Sequence, residues 1–414
     1  MRHKCSDTGV FRTCKIVNFG EEFAVVGRVA KMLLDTRDLE FLKLTGLCRY
    51  MPTGLNRKYD SPCFARRVIS NLQTHRLIKL ISDKMSYKLT KKGRGILEEI
   101  GITFLKDART NLKKNAYLGK LKNAHINVML HLAGVNVYYE TARELSGVSC
   151  GYMSSLVLRS DNSMKVLSSA KFLGILKLEL EAYIPYYIED RQSWMFPVFE
   201  REMYRSQVDS IRDVKEIKLI LFGDTLEELW LSITPSGESV DIIDGRKSFY
   251  ISLEEIGSEY LLIPLGRDGV LQLKLLTLCG YKDRISTALR CEENNVKGLF
   301  ECDGWKDGMP FIIGIDFNIK RVLRGLKQIE KYDNRLKPVV ACLPFQKSTY
   351  IKILKEFSTI KPLVFPISLN DIYNVFPETR EDNFKIEPVP KKRGDYIEVP
   401  EVSYSKTQIE VIEA

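Results

Sequence analysis

The sequence predicts an α+β protein of more than one domain, and three observations support that prediction. Its 414 residues exceed what a single hydrophobic core usually organises. Of these, 44% are hydrophobic and 28% are charged, proportions typical of folded domains rather than of a disordered chain. Helices and a β-hairpin are predicted before residue 100, whereas strands and helices alternate after residue 311. The two parts of the chain therefore belong to different kinds of domain.

The net charge of +10 is concentrated at the N-terminal end. Residues 1–125 hold 26 Lys+Arg and 11 Asp+Glu, a net charge of +15, while residues 126–414 hold 37 and 42, a net charge of −5. This asymmetry predicts a polyanion-binding module joined to a domain of another kind.

Several classes of protein are not expected from the composition. No apolar run approaches the roughly 20 residues of a membrane helix, and no apolar segment of a secretory signal follows the first residues. We therefore expect a cytoplasmic protein without membrane insertion. The nine cysteines are scattered without a C-x-x-C pair, which predicts reduced thiols and no zinc site. The sequence has neither the phosphate-loop motif GxxxxGK(S/T) nor the dinucleotide-binding motif GxGxxG after a strand, so no nucleotide cofactor is expected.

The basic region opens with two predicted helices. The first runs from about Asp35, because Leu39 and Leu42 share a face and Asp38 lies in the first turn. A turn is expected at 51–56. The second helix is predicted from Asp60-Ser61-Pro62, with Pro at its first position, to about His75. Its predicted inward residues are Val68, Ile69 and Leu72.

A β-hairpin follows these helices. Residues 76–81 and 86–90 have the alternating character of strands, and residues 82–85 form a polar turn between them. LTKKGRGIL then opens another helix. Helix, turn, helix and hairpin in this order resemble a winged helix-turn-helix domain over residues 35–100, and Arg, Lys and Asn there suit DNA bases and phosphates.

The candidate DNA-binding residues share a basic or amide side chain and lie within this motif. They are Arg57, Lys58, Arg66, Arg67, Asn71, Arg76, Lys79, Lys84, Lys88, Lys91, Lys92 and Arg94. Arg66, Arg67 and Asn71 are predicted to read bases, and the lysines of the wing to contact phosphates. The alternative is a solvated basic surface, or a winged helix that binds protein.

The predicted domains are an N-terminal extension (1–34), the winged helix (35–100), a basic helical connector (101–125), an α/β domain (126–380) and an extended tail (381–414).

A helix is also expected from residue 125 to about 134. It carries His125 and His131, which could suggest the metal pair of a rolling-circle nickase. A six-residue offset, however, turns a helix by about 600° and leaves the two side chains about 120° apart, so no metal site is expected.

The C-terminal part reads as strands and helices. Two strands, 171–179 and 182–190, are predicted to pair antiparallel, with Pro185 at an edge or bulge, and 217–222 forms a further strand with a helix behind it. No order is predicted for 265–291. The β-α-β-α-β pattern covers 311–316, 320–331, 337–344, 346–357 and 361–368, which predicts parallel pairing.

A metal-dependent nuclease is the enzymatic alternative. Its candidate carboxylates and lysine are Glu301, Asp303, Asp307, Asp316 and Lys320. Asp316 is followed by Lys320 four residues later rather than two, and Asp316 is also placed to cap the next helix. We therefore expect no catalysis.

Five segments together resemble the replication-relaxation group, which includes mobilisation accessory proteins of plasmids and integrative conjugative elements. They are the winged helix ending in LTKKGRGIL, SSAKFLGILKLE, YIPYYIED, the strand with LFGD, and DGMPFIIGIDFNIKRVLRGL. The resemblance spans residues 35–370. It implies a C-terminal restriction-nuclease-like region, degenerate in its catalytic set, and a role at the origin of transfer beside a separate relaxase. The α/β region is expected to contact the relaxase or a coupling ATPase. The stretch 154–162 lacks the Pro-Asp pair that would open a nuclease-like core.

The expected function is therefore that of a sequence-directed double-stranded DNA-binding accessory protein of the relaxosome. A plasmid replication initiator or transcriptional repressor is one alternative, and a Mg²⁺-dependent endonuclease is another.

Overall fold

The computed structural model describes residues 18–19, 22–23, 25–26, 31–81, 85–102, 114–139, 141–155, 173–188, 211, 213–233, 239–241, 247–249, 259–380 and 406–408. It is an α+β protein with several separate sheets. By packing, the chain divides into two units, one within 1–112 and 381–414 and the other within 113–380.

The first unit contains short strands, helices and a hairpin. Its strands are β1 (Asn18–Phe19), β2 (Glu22–Phe23), β3 (Val25–Val26), β4 (Lys31–Asp35), β5 (Met51–Pro52), β6 (Ile78–Leu80) and β7 (Ser86–Leu89). Its helices are α1 (Thr36–Cys48), α2 (Leu55–Tyr59), α3 (Arg66–Thr74) and α4 (Lys91–Glu99).

Helix α1 begins where the sequence predicts. Asp35 is its N-cap and accepts the Asp38 N–H, while the Asp38 side chain accepts the Asp35 N–H, a reciprocal capping box. The buried face of α1 includes Phe41, which packs edge-on against Phe64 and Tyr87 at 6.0 and 6.4 Å between ring centroids. This aromatic group joins α1 to the hairpin strand β7.

Two predictions for the segment before α3 are wrong in detail. Residues 51–56 are not only a turn, since Met51–Pro52 pairs with β7 and α2 begins at Leu55. The helix predicted from Pro62 begins only at Arg66, because Pro62–Phe64 form a 3₁₀ turn and Ala65 is extended with ψ 146°. The reason is tertiary packing, since the interruption buries Cys63 and Phe64 in the core.

The hairpin and helix α4 are confirmed. Strands β6 and β7 pair antiparallel from Ile78↔Leu89 to Leu80↔Tyr87. Thr90 caps α4 by accepting the Gly93 N–H at 3.1 Å and also donates to the Arg76 carbonyl at 2.6 Å. A Cβ on Gly93 would lie 2.2 Å from the Leu77 carbonyl oxygen, so only glycine allows α4 to approach the start of β6 this closely.

The second unit contains a five-stranded and a four-stranded sheet. Its strands are β8 (Cys150–Ser154), β9 (Gly174–Leu178), β10 (Glu181–Tyr187), β11 (Glu216–Gly223), β12 (Ser239–Asp241), β13 (Lys247–Phe249), β14 (Tyr260–Pro264), β15 (Gly304–Lys306), β16 (Met309–Ile313), β17 (Val339–Cys342) and β18 (Leu363–Pro366). Its helices are α5 (Lys114–Leu132), α6 (Ala142–Ser146), α7 (Leu226–Ile233), α8 (Arg267–Leu276), α9 (Tyr281–Ala288), α10 (Ile319–Tyr332), α11 (Lys347–Phe357) and α12 (Leu369–Val375).

The five-stranded sheet has the order β14-β11-β10-β9-β8. The predicted antiparallel pair is β9 with β10, and β11 is the predicted strand with α7 behind it. Pro185 is not on an edge strand, because β10 pairs parallel with β11 along its whole length. Pairing with β9 ends at Tyr183, so Pro185 lies beyond that ladder, where its missing N–H breaks no bond to β9.

The predicted parallel β-α-β-α-β unit is confirmed as β16-α10-β17-α11-β18. Alternate residues of these strands enter two different hydrophobic clusters, with Ile312 and Val340 on one face and Ile313 and Ala341 on the other. A sheet buried on both faces is typical of parallel pairing. The stretch without a predicted order contains α8 and α9.

The connector and the tail are described only in part. Residues 114–125 are helical as predicted, and their helix continues without a break to Leu132; residues 103–113 lie outside the described part. Of the tail predicted to be extended, 406–408 form a strand, β19 (Lys406–Gln408), that pairs antiparallel with Leu33–Asp35 of β4. Among the helices that the structure describes, none is both long and apolar enough to cross a bilayer.

Candidate nucleic-acid interface

Helix α3 begins with two exposed arginines. Arg66 and Arg67 lie in its first turn, and the Arg67 guanidinium lies 2.7 Å from Asp35 Oδ2. The Arg67 side chain is 77% exposed, so this ion pair contributes only about 0–1 kcal/mol. The pair orients Arg67 toward the start of α1, but it is weak enough for another anion to replace Asp35.

Asn71, the third residue predicted to read bases, is engaged within the protein. Its Nδ2 donates to Asp38 Oδ2 at 2.6 Å, and Asp38 is only 4% exposed. Burial, with the charge of Asp35 as a smaller cause, raises the pKa of Asp38 to about 6. Asn71 therefore joins α3 to α1 through a buried carboxyl group.

The hairpin places two lysines side by side on its outer face. Lys79 of β6 and Lys88 of β7 are directly opposite each other, which puts their Cβ atoms about 5 Å apart on one face. The other face carries Ile78 and Tyr87, and Tyr87 contacts the aromatic group on α1. Like charges in directly opposed positions destabilise a hairpin, so this face is suited to a bound anion.

A second group of cations surrounds the start of α4. Burial and the charge of Arg76 lower the pKa of Lys92, and burial and the charge of Lys92 lower the pKa of His75. Burial is the larger cause of both pKa shifts, and the smaller charge effects indicate that the three basic side chains are near one another. Lys91 and Lys92 also occupy the first two positions of α4, where the helix dipole disfavours cations and favours anions.

Arg76 has an unfavourable backbone conformation. Its φ of +57° is in the left-handed region, which costs a non-glycine residue roughly 1–2 kcal/mol. Glycine or asparagine is the usual residue where a helix ends in this conformation. Arginine at this position therefore lowers stability relative to glycine.

The remaining candidates are placed as follows. Arg57 is exposed and Lys58 is half-buried on α2, Lys91 is exposed, and Arg94 is half-buried on α4. Lys84 lies outside the described residues. The structure thus brings together Lys79 with Lys88, and Arg76 with Lys92. Sequence reasoning missed His75, which is near Lys92 because Gly93 lets α4 approach the backbone of Leu77, two residues after His75.

The nuclease candidates of the second unit form ion pairs with arginines. Arg321 Nη1 lies 3.2 Å from Asp303 Oδ2, and Arg321 Nε lies 3.6 Å from Asp316 Oδ2. Burial alone would raise the pKa of Asp316, but the charges of Lys282 and Arg321 hold that pKa below its usual value. A cation bound by Asp303 and Asp316 would therefore have to displace a buried guanidinium.

The other candidates do not complete a metal site. Glu301 accepts from Arg324, and Asp307 is an exposed residue of left-handed conformation in the turn between β15 and β16. Asn318, not Asp316, caps α10, since its Oδ1 accepts the Arg321 N–H. Within the described ranges, no three His, Cys, Asp or Glu side chains converge as metal ligands.

A polar cleft of about 500 Å³ lies beside these ion pairs. Lys218 stands on its wall between Glu181, Glu216 and Glu259, at 2.9 Å from Glu216 Oε2 and 3.6 Å from Glu259 Oε2. The hydrogen bonds of Glu181 and Glu216 act against the burial of Lys218 and raise its pKa above the usual value. This ammonium group occupies the centre of the carboxylate cluster.

The two histidines considered as a metal pair both lie on α5, as the helical prediction requires. His131 packs edge-on against Tyr138, with 6.2 Å between ring centroids.

No family model, curated protein or solved structure matches this chain.

Proposed function

We propose that the first unit binds double-stranded DNA as a winged helix, with α3 in the major groove and the β6–β7 hairpin as the wing. The observation that supports this most strongly is that basic side chains, each exposed or half-buried, lie next to one another. Lys79 faces Lys88, and Lys92 lies beside Arg76 and His75. Such clusters cost stability in the free protein, and polyanion binding offsets that cost.

The two clusters have different positions relative to α3. The lysine pair lies on the strands that follow α3, while the Arg76–Lys92 cluster lies at the C-terminal end of α3. Phosphates on either side of a major groove that holds α3 would meet these cations. Arg66 and Arg67 would meet DNA at the N-terminal end of the same helix.

The resemblance to the replication-relaxation group extends this proposal to conjugative DNA processing. The protein would bind near an origin of transfer and assist a separate relaxase, and its α/β unit would contact the relaxase or a coupling ATPase. The ion pairs of Asp303 and Asp316 with Arg321 favour this assisting role over cleavage by the protein itself.

Salt-dependent binding of the full-length protein to a labelled duplex tests the DNA-binding step. Fluorescence anisotropy at several salt concentrations gives the slope of log K against log salt, which is about −0.9 per phosphate neutralised. The double variant Lys79→Ala/Lys88→Ala should weaken binding and reduce the slope by about 2.

Lys355→Ala/Lys361→Ala is the matched control, because both lysines are exposed on the second unit. It removes the same charge and should change neither affinity nor slope. Equal effects of the two double variants would contradict the proposed interface, and would indicate nonspecific attraction by net charge.

Supercoiled plasmid carrying the intergenic DNA next to the gene separates the three functional alternatives. A relaxosome accessory protein protects the origin of transfer in a footprint and increases nicking by added relaxase in Mg²⁺. A replication initiator or repressor protects repeats at a replication origin or promoter. A nuclease nicks the plasmid with Mg²⁺ and no relaxase, and that result would overturn the accessory role.

A further inference from the structure

The exposed face of α3 is defined by its buried residues. Val68 and Leu72 are 2% and 0% exposed, and at about 100° per residue both point about 160° away from Ser70. Ser70 is therefore at the centre of the outward face. Arg66 lies about 40° from it and Gln73 about 60°, and all three residues are exposed.

Of the three remaining polar residues of α3, Thr74 donates to the Ser70 carbonyl at 2.8 Å, and the other two are held toward α1. Asn71 is bonded to buried Asp38, and Arg67 is bonded to Asp35. Both partners belong to the capping box that begins α1, so the same two carboxylates start one helix and hold the side of the next. Asn71 acts as a positioning residue that sets the rotation of α3.

Arg66 and Gln73 are nearly aligned along the helix. They are seven residues apart, which turns the helix by about 700° and leaves them about 20° apart on one stripe. The rise between them is about 10.5 Å, and base pairs are stacked about 3.4 Å apart. The two side chains can therefore reach base pairs about three apart.

We propose that Arg66, Ser70 and Gln73 read the DNA sequence, with Arg66 selecting a guanine and Gln73 an adenine about three base pairs away, while Asn71 does not contact bases. This rests on the proposed function. An arginine donates two hydrogen bonds to O6 and N7 of guanine, and a glutamine amide pairs with N6 and N7 of adenine. Ser70, short and central, allows the helix to approach the base edges closely.

Selection from a duplex library tests this inference. Full-length wild-type protein is incubated with duplexes that carry about 20 randomised base pairs, and bound DNA is sequenced. The wild type should enrich a motif that contains G·C and A·T pairs about three positions apart. Gln73→Ala should reduce the preference for adenine roughly 5- to 150-fold, and Arg66→Ala should do the same for guanine.

Arg67→Ala and Asp38→Asn are the control variants. Both should keep the wild-type motif. Arg67 lies about 60° from Ser70 on the side opposite the stripe, where it would contact a phosphate, so Arg67→Ala should weaken binding to all sequences alike. The amide oxygen introduced by Asp38→Asn still accepts from Asn71. Circular dichroism and salt-dependent binding to one fixed duplex confirm that each variant is folded and binds DNA.

The outcomes separate the inference from the proposed function. If Arg67→Ala flattens the motif while Gln73→Ala does not, the assignment of the reading stripe is wrong although DNA binding stands. If the wild type binds duplexes without enriching any motif, base readout by α3 is overturned. If it binds no duplex at all, the proposed function itself fails.

Discussion

Replacing Asp38 with asparagine should stabilise the first unit at neutral pH and have little effect in acid. Burial raises the pKa of Asp38 from 3.8 to about 6, so the folded state binds the proton more tightly than the unfolded state. The resulting stabilisation is fully present below pH 3.8 and is lost as the pH rises through 6. A shift of about 2 pKa units corresponds to about 3 kcal/mol.

The asparagine variant avoids this loss because it carries no ionisable group. Its Oδ1 can still accept from the Asp35 N–H and from Asn71, the two bonds that Asp38 Oδ2 accepts. The favourable interaction of a carboxylate with the helix N-terminus is lost, at about 0.3–1 kcal/mol. We therefore expect Asp38→Asn to be more stable by about 2 kcal/mol at about pH 7.5.

Hydrogen exchange measured by mass spectrometry reports this difference locally. Peptides from α1 and α3 are compared between wild type and variant at the same pH, so that intrinsic exchange rates cancel. All three tryptophans lie between residues 194 and 305, outside the first unit, so their fluorescence would not report it. Glu99→Gln, at an exposed position of α4, is the control and should change stability by less than about 0.5 kcal/mol at every pH.

The reasoning is refuted if the stability difference between Asp38→Asn and wild type is the same at about pH 4 and about pH 7.5. It is also refuted if the variant is less stable at the higher pH, because the charged carboxylate would then be worth more than its burial costs.

Three further substitutions follow from the geometry. Gly93→Ala should destabilise the first unit by at least about 1–3 kcal/mol, because the added Cβ would meet a backbone carbonyl. Gly95→Ala is the matched control: the position has open space around it, so the alanine should stabilise α4 by about 0.5–1 kcal/mol. Hydrogen exchange of α4 peptides measures both effects. Arg76→Gly should relieve a left-handed conformation worth about 1–2 kcal/mol yet weaken DNA binding, and tighter binding by this variant would contradict a role in the interface. Asp303→Ala should lower stability by about 3–5 kcal/mol by leaving buried Arg321 with less compensation, which thermal unfolding detects, and an unchanged midpoint would show that this pair is not structural.

Sequence patterns predicted correctly those helices and strands that depend on interactions between nearby residues. The start of α1 follows from Asp35 and Asp38 three residues apart, since a capping box involves no distant residue. The hairpin and the β-α-β-α-β unit follow from alternation and helical periodicity. The basic end of the chain also follows from counting charges along the sequence.

Predictions failed where distant contacts outweigh local preference. The helix expected from Pro62 is interrupted because Phe64 packs against Phe41 of another helix. Proline cannot donate to a ladder, which predicts an edge or a bulge at Pro185, but β10 is an interior strand whose ladder with β9 ends before this residue. Neither the partner of Phe64 nor the extent of β9 can be read from nearby residues.

For the candidate interface, the order of residues along the chain specifies which side chains are available and concentrates the basic ones before residue 125. Which of them face outward together depends on the packing of the helices and the hairpin. Asn71 resembles a base-reading residue in the sequence, yet Asp38, 33 residues earlier, holds it. Gln73 is not among the residues predicted from the sequence to bind DNA, yet it shares the outward stripe with Arg66. The physical reason is that a side chain's availability depends on the rotation of its helix, which is set by packing against other elements.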